Sequence, residues 1–147
     1  MNRTIAICLM MCWIALALIV AVVRPELISD KNVFLKSFVN QEFLSFMGVV
    51  VTITLASAGN LFIELNKLED RAETSLFTKT KQSVKNSAFS LIWSLVFALI
   101  LVTVKPLVGS GDGVLAIVNA AALTTILFSV LILVDLTIAA FNLDPRA

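Results

Sequence analysis

The stretch FLSFMGVVVTITLASAGNLFI, residues 43–63, contains no charged side chain. An α-helix needs about 20 apolar residues to cross a hydrocarbon core of about 30 Å. Backbone groups surrounded by lipid must also find their hydrogen-bond partners within the same segment. The stretch therefore predicts a transmembrane helix. Three further stretches meet the same criterion, at residues 4–23, 86–104 and 114–141.

The composition agrees with lipid as the solvent of the folded chain. Of its 147 residues, 59% are hydrophobic and 14% are charged, whereas about a quarter of the residues in a globular domain are charged. We expect an all-α polytopic membrane protein with one four-helix transmembrane domain over residues 1–147. The apolar stretch at residues 4–23 is too long for a signal peptide, so we expect it to be a retained helix.

Several functional classes are disfavoured by what the sequence lacks. The net charge of +1 gives no basic field for nucleic acid, and histidine, the commonest general base and metal ligand, is absent. Cys8 and Cys12 are too few for a zinc site or a disulfide scaffold, and we expect them to be small buried hydrophobes on one helix face. The turn GSGDG, residues 109–113, lacks the lysine of a phosphate-binding loop. We expect no enzyme, no metal, no cofactor and no nucleic-acid partner.

Lys and Arg in the loops predict the orientation of the chain in the membrane. Seven of the 11 basic residues fall on one side: Arg3, Lys67, Arg71, Lys79, Lys81, Lys85 and Arg146. The remaining four are on the other side: Arg24, Lys31, Lys36 and Lys105. The chain termini and the loop of residues 65–85 are therefore predicted to be cytoplasmic.

The loops carry helical patterns of their own. Residues 24–42 place Phe34, Leu35, Phe38 and Val39 at helical spacing, which predicts a short amphipathic helix in the outer interface. Apolar residues at intervals of three and four in the central loop predict that the second helix continues two or three turns beyond the membrane. The third helix is expected to be capped by a hydroxyl residue. The candidates are Thr78, Thr80 and Ser83.

Two similar segments raise the question of an internal repeat. ALIVAVVRP, residues 17–25, matches ALILVTVKP, residues 98–106, and IEL at 63–65 matches VDL at 134–136. Tandem duplication of a helical hairpin explains these matches, and so does chance in a chain rich in Ala, Val, Leu and Ile. In either case the prolines are expected to end the helices. The preceding cations, Arg24 and Lys105, are expected to reach the lipid headgroups.

Polar residues within the spans are the best pointers to a functional site. On the second helix a narrow ridge of small and polar residues recurs every four residues: Gly48, Thr52, Ala56, Asn60 and Glu64. An amide and a carboxylate on one stripe require a polar neighbour or water. On the third helix, Ser83, Ser87, Ser90 and Ser94 form a serine stripe, for which helix packing is the simplest role.

Glu64 and Asp135 are predicted at the inner edge of the membrane. Each lies 21 residues after the start of its span, or about 31 Å along a helix. One interpretation is a ring of interhelical ion pairs and headgroup anchors, and the other is the acidic mouth of a pore or cation site. The candidate pore or interhelical polar residues are Thr52, Asn60, Glu64, Asp135 and Asn119. The candidate contacts to a partner or to lipid headgroups are Lys67, Arg71, Lys79, Lys81 and Lys85.

The chain resembles the short four-helix, RexB-like membrane proteins of phage-exclusion, prophage and defence loci. The likeness rests on length, the four spans, the charged segment NKLEDRAETSLFTKTK (66–81) and the last helix ILVDLTIAAFNL (132–143). It implies a homo-oligomer in the cytoplasmic (inner) membrane that senses infection or depolarises the cell, without catalytic residues. We therefore expect an ion-conducting permeability effector. The alternatives are a membrane scaffold that recruits a cytoplasmic protein and a transporter of ions or small solutes.

Overall fold

A computed structural model of the protein describes residues 3–72, 77–109 and 111–141, and these form α-helices joined by short connections. The helices are α1 (Arg3–Val23), α2 (Val33–Ser37), α3 (Phe43–Ala72), α4 (Thr78–Val104) and α5 (Asp112–Phe141). Within these ranges, four segments are long and apolar enough to cross a membrane: Thr4–Val23, Val33–Arg71, Thr78–Leu107 and Asp112–Phe141. The predicted all-α fold, with four helices long and apolar enough to cross a membrane, is confirmed.

Helix α5 lies at the centre of the bundle and packs against α1, α3 and α4. Its buried side chains include the small residues Ala116, Ala122 and Ser129. In lipid, two apolar helices gain little from the hydrophobic effect when they meet, so association depends on close packing, which small residues permit. Helix α1 has α5 as its principal partner and is the least buried of the four spans.

Helices α3 and α4 form the most extensive pair in the bundle. The buried face of α3 repeats at intervals of three and four residues, as expected for helices crossing at a shallow angle. Its members are Met47, Val51, Thr54, Ala58, Leu61 and Leu65. Opposite them, α4 buries Val84, Leu91, Ser94 and Ala98.

This pair extends beyond the predicted spans. Helix α3 ends at Ala72 and α4 begins at Thr78, so most of the predicted loop 65–85 consists of helix ends. Leu65 and Val84 belong to the continuous apolar core, and their packing keeps both helices intact beyond the membrane. The extension of the second helix is as predicted, whereas the third helix begins earlier than residue 86.

The first turn of α4 is capped from α3 rather than by its own hydroxyl residues. Phe77 precedes the helix and provides no side-chain cap. Its backbone N–H instead donates to Glu69 Oε1 at 2.7 Å, and the same carboxylate pairs with Lys81. A negative group at a helix N-terminus is favourable because the unpaired N–H groups there carry partial positive charge. A tertiary contact thus replaces the predicted cap.

The predicted interfacial helix over residues 24–42 is interrupted. Helix α2 is capped by Asn32, whose Oδ1 accepts hydrogen bonds from the backbone N–H groups of Phe34 and Leu35. The backbone leaves helical geometry at Val39 and Asn40, just before α3 begins. Leu35 and Val39 are buried in the core, so this segment packs on the bundle instead of lying freely in the interface.

The two similar segments end alike but differ in their surroundings. Short 3-10 turns follow each apolar run, at Pro25–Leu27 and Lys105–Leu107, as expected where proline cannot continue the helix. Arg24 is exposed, which fits its expected role at the headgroups. Lys105 is only 9% exposed. The expectation that it reaches the headgroups is wrong, because a carboxylate of the same chain binds it.

Candidate functional site

The ridge predicted on the second helix, Gly48 to Glu64, lies on α3, and we name it the α3 ridge. It faces away from the bundle. Thr52, Asn60 and Glu64 are all exposed, on the side of α3 opposite Val51, Ala58 and Leu65, which are buried. Helix α4 and helix α5 occupy the buried side. The ridge therefore lines no gap within one chain, and at membrane depth it meets lipid or another molecule.

The ridge residues differ in how their polar groups are satisfied. Thr52 donates its hydroxyl to the carbonyl oxygen of Gly48 at 2.7 Å, which a lipid environment tolerates. The Glu64 carboxylate lies 2.7 Å from Lys67 Nζ, and both side chains are more than half exposed. Asn60 makes no side-chain hydrogen bond within the described ranges. Its amide carries two donors and an acceptor on an outward face.

The glycines beside the ridge are not required by the chain's own packing. A Cβ atom added to Gly48 or Gly59 would meet no heavy atom within 4 Å. Glycine inside a helix costs about 0.5–1 kcal/mol relative to alanine. The small surface at these positions thus fits a close approach from outside the chain.

Asp135 lies on a different surface, in a groove between α1 and α4. Both helices rest on α5, and the end of the groove near the start of α4 has a volume of about 680 Å³. Asp135 is half-buried and shares this end with Ser83, Asn86 and Ser87. It makes a polar interaction of its own within the chain.

The serine stripe lines this groove. Ser94 is buried against the bundle, whereas Ser87 and Ser90 are half-buried and Ser83 is exposed. Helix packing therefore accounts for Ser94 but not for the whole stripe. Cys8 and Cys12 are exposed free thiols on α1, so the expectation that they are buried is wrong for a single chain.

Asn119 belongs to a third site, at the opposite end of the bundle from Asp135. Its Nδ2 donates to the carbonyl oxygen of Ile28 at 2.9 Å and to Asp30 Oδ1 at 3.1 Å. Lys105 Nζ lies 2.8 Å from the same carboxylate oxygen and donates to the Val39 carbonyl oxygen at 3.1 Å. The side chains of Lys105 and Asp30 are 10% and 24% exposed. This buried network ties the segment between α1 and α2 to the end of α4 and to α5.

The charges in this network determine the protonation of Asp30. Burial alone would raise the pKa of its carboxyl, but hydrogen bonds from Lys105 and Asn119, together with the charges of Lys105 and Lys36, outweigh burial and lower the pKa. Asn119 Oδ1 is buried without a hydrogen-bond partner in the described structure. Reversing the amide would set that oxygen against the carboxylate, so the ionised Asp30 fixes its orientation.

The cations of the central segment have different roles. Lys81 pairs with Glu69 with both side chains mostly buried, and it lies 5.9 Å from the centre of the Phe62 ring. Lys67 pairs with Glu64 on the surface. The other three are exposed and available for contacts: Arg71, Lys79 and Lys85.

The five candidate polar residues thus divide among three sites in one chain. Thr52, Asn60 and Glu64 share the outward face of α3, Asp135 lies in the groove, and Asn119 lies in the buried network with Asp30 and Lys105. Sequence reasoning missed Asp30 as the partner of Lys105 and Asn119. The sequence indicates Asp30 only as a charged residue in a short loop beside an apolar helix.

Comparisons with protein-family models, curated proteins and solved structures gave no match. Among the described residues, no group of three or more His, Cys, Asp or Glu side chains could hold a metal ion. Function must therefore be inferred from the three polar sites, and chiefly from the α3 ridge, which the chain itself leaves uncovered.

Proposed function

We propose that this protein is a non-enzymatic, homo-oligomeric membrane protein that increases membrane permeability, with copies meeting through the α3 ridge. One observation carries the proposal: a polar ridge faces away from the bundle and includes Asn60, whose amide has no partner within the described chain. Burying an amide without a hydrogen bond is costly. A second copy or a water-filled path removes that cost.

The ridge also has the shape for helix association. Gly48, Ala56 and Gly59 present a small surface, and small residues allow transmembrane helices to approach closely while polar side chains bond across the contact. Copies arranged around a common axis along the membrane normal would turn Thr52 and Asn60 toward that axis. Glu64 would then form a ring at one mouth of the path.

The topology and the biological role belong to the same proposal. The excess of Lys and Arg supports cytoplasmic termini in the inner membrane, which makes the Glu64 end the cytoplasmic mouth. Matched 3-10 turns at Pro25–Leu27 and Lys105–Leu107 support tandem duplication of a hairpin. A role in phage exclusion, by sensing infection or depolarising the cell, rests on the architectural resemblance alone.

Ion flux from liposomes tests the permeability. Purified protein is reconstituted in sealed vesicles, and efflux of potassium and of chloride is followed separately. The wild type should conduct, and Asn60→Leu should reduce the flux severalfold because it removes a polar group from the path one helical turn from Glu64. Glu64→Ala should change the ratio of cation to anion flux because it removes the charge at the mouth.

A matched pair of threonines controls for general effects on the helices. Thr52 and Thr103 are both exposed, and each donates to the carbonyl oxygen four residues earlier, but only Thr52 lies on the ridge. Thr52→Val should lower the flux and Thr103→Val should leave it unchanged. Vesicles that stay ion-tight with the wild type would rule out the permeability proposal.

Recruitment of a cytoplasmic protein is the second candidate. The α3–α4 pair projects beyond the predicted spans, is stabilised by the Glu69–Lys81 ion pair and exposes Arg71, Lys79 and Lys85. A rigid basic surface of this kind fits an acidic partner. Neutralising these three cations should abolish co-purification of such a partner while leaving the ion flux of vesicles unchanged.

A further inference from the structure

The groove between α1 and α4 runs along much of α5. Its two parts have volumes of about 680 Å³ and about 600 Å³ and share Met10, Ser90 and Phe128 in their walls, so they form one continuous depression. Volumes of this size are typical of ligand sites, which span about 300–1,000 Å³. From Asp135 to Ile117, residues at the two ends, the distance along α5 is about 27 Å.

Polarity changes along this groove. The part farther from Asp135 is lined mainly by apolar side chains such as Ile14, Trp93 and Phe97. The part beside Asp135 carries the polar side chains of Ser83, Asn86, Ser87 and Ser90. The groove thus has a polar end and an apolar end, like an amphiphile.

The hydroxyls of the two ends also differ in their hydrogen bonding. At the apolar end, Ser94, Thr124 and Thr125 donate to carbonyl oxygens four residues earlier, and Thr124 also accepts from Trp13 Nε1 at 3.1 Å. In the polar end, no hydrogen bond of the Ser83, Ser87 or Ser90 side chains occurs within the described ranges. A serine in a helix readily bonds back to its own backbone. The hydroxyls of Ser83, Ser87 and Ser90 do not bond back in this way, so they are available to an external ligand.

We propose that the groove binds one phospholipid whose headgroup carries a primary ammonium, with the headgroup beside Asp135 and one acyl chain along the apolar end. A carboxylate accepts several hydrogen bonds, so Asp135 can bind an ammonium in addition to its interaction within the chain, and serine hydroxyls can donate to phosphate oxygens. A choline headgroup has no N–H donor. A glycerol headgroup leaves the phosphate charge uncompensated beside the carboxylate.

The depth of the groove agrees with one leaflet of a bilayer. Thr124 lies 11 residues before Asp135, about 16 Å along α5, or about half of a 30 Å hydrocarbon core. An acyl chain that starts at the polar end therefore reaches the apolar part near Thr124. The assignment to the cytoplasmic leaflet rests on the proposed topology, whereas binding itself does not depend on oligomerisation or on ion flux.

Native mass spectrometry tests lipid binding directly. Delipidated protein is mixed with equal amounts of phospholipids that have the same acyl chains and ethanolamine, choline or glycerol headgroups. We expect one ethanolamine lipid per chain, retained at least about threefold more than either competitor, as one charge-assisted contact would provide. Equal retention of the three lipids, or retention of none, would overturn the proposal.

Variants at the two ends separate headgroup recognition from folding. Asp135→Asn should reduce the preference for ethanolamine without abolishing lipid retention, whereas Ser87→Ala should weaken the retention of all three lipids because they share the phosphate. Ala17 lines the groove, whereas Ala15, two residues away on α1, is exposed. Ala17→Phe should therefore release the lipid and Ala15→Phe should not, in samples with unchanged helicity. Loss of bound lipid from both Ala17→Phe and Ala15→Phe would contradict the proposal. So would a dimer that forms through the groove without bound lipid.

Discussion

Polar residues occur within the spans on both α3 and α5, but their surroundings differ. On α5, Ser129 and Thr125 are buried and bond to backbone carbonyls, and Asn119 donates to the outer loop. On α3, the stripe that contains Asn60 points outward, and neighbouring Gly59 has open space around it. These polar groups of α5 stabilise the fold of one chain. Those of the α3 ridge face away from the bundle, which is why we infer that they act between copies.

The largest effect should come from the buried network at the outer end of α5. Lys105→Met removes the cation from Asp30 and a donor from the Val39 carbonyl oxygen. Breaking a buried pair by removing one partner costs about 3–5 kcal/mol, and partial exposure of Asp30 reduces this to about 2–3 kcal/mol here. Unfolding in detergent, followed by helical circular dichroism, measures the loss of free energy of unfolding.

The matched control is the exposed pair on α3. Lys67→Met breaks the Glu64–Lys67 contact, in which both partners are more than half exposed, and surface pairs contribute little. The stability of the single chain should not change measurably. Equal destabilisation by the two substitutions would contradict the distinction between a completed network and an outward surface.

The next effect concerns assembly rather than folding. Gly59→Leu introduces a side chain whose Cβ atom has open space around it in its own chain but which obstructs a close helix contact. We expect weaker self-association, with a dissociation constant raised by roughly tenfold or more, and no loss of thermal stability of the dissociated chain. Sedimentation of the detergent-solubilised protein over a range of concentrations measures this constant.

The control for this substitution is Ala15→Leu, at an exposed position of α1. It adds a similar volume on another helix, away from the α3 ridge. Its association should equal that of the wild type. If Ala15→Leu alone weakened association, the result would indicate that copies meet through α1 and not through α3.

The sequence allowed the four spans and the grouping of polar residues on α3 to be predicted, but not the direction in which the stripe faces. In water, an apolar face turns inward. In a bilayer, the lipid and the interior of the bundle are both apolar. The periodicity that grouped Thr52, Asn60 and Glu64 is therefore compatible with a stripe that faces inward or one that faces lipid. Similarly, Lys105 beside a proline resembles a headgroup anchor, and only the fold of the outer loop brings Asp30 to it.

The smallest effect should appear on acidification of the outer network. Because the pKa of Asp30 is lowered in the folded chain from its ordinary value of 3.8, its contribution to stability is present above that pH and is lost as pH falls through the folded-state pKa. Asp30→Asn should be less stable than the wild type at neutral pH. The difference between the two unfolding curves should shrink below about pH 4. A stability difference between the wild type and Asp30→Asn that does not change with pH would contradict an ionised Asp30 in the folded chain.

Disulfide cross-linking in membranes tests most directly whether the α3 ridge lies between copies. Cys8 and Cys12 are first replaced by Ala, and single cysteines are then introduced as Ala56→Cys on the ridge and Leu99→Cys on the exposed face of α4. A disulfide requires Cα atoms within about 7 Å, so oxidation reports close contact. We predict efficient covalent dimers for Ala56→Cys and few for Leu99→Cys. Efficient dimers at position 99 with none at position 56 would contradict the account.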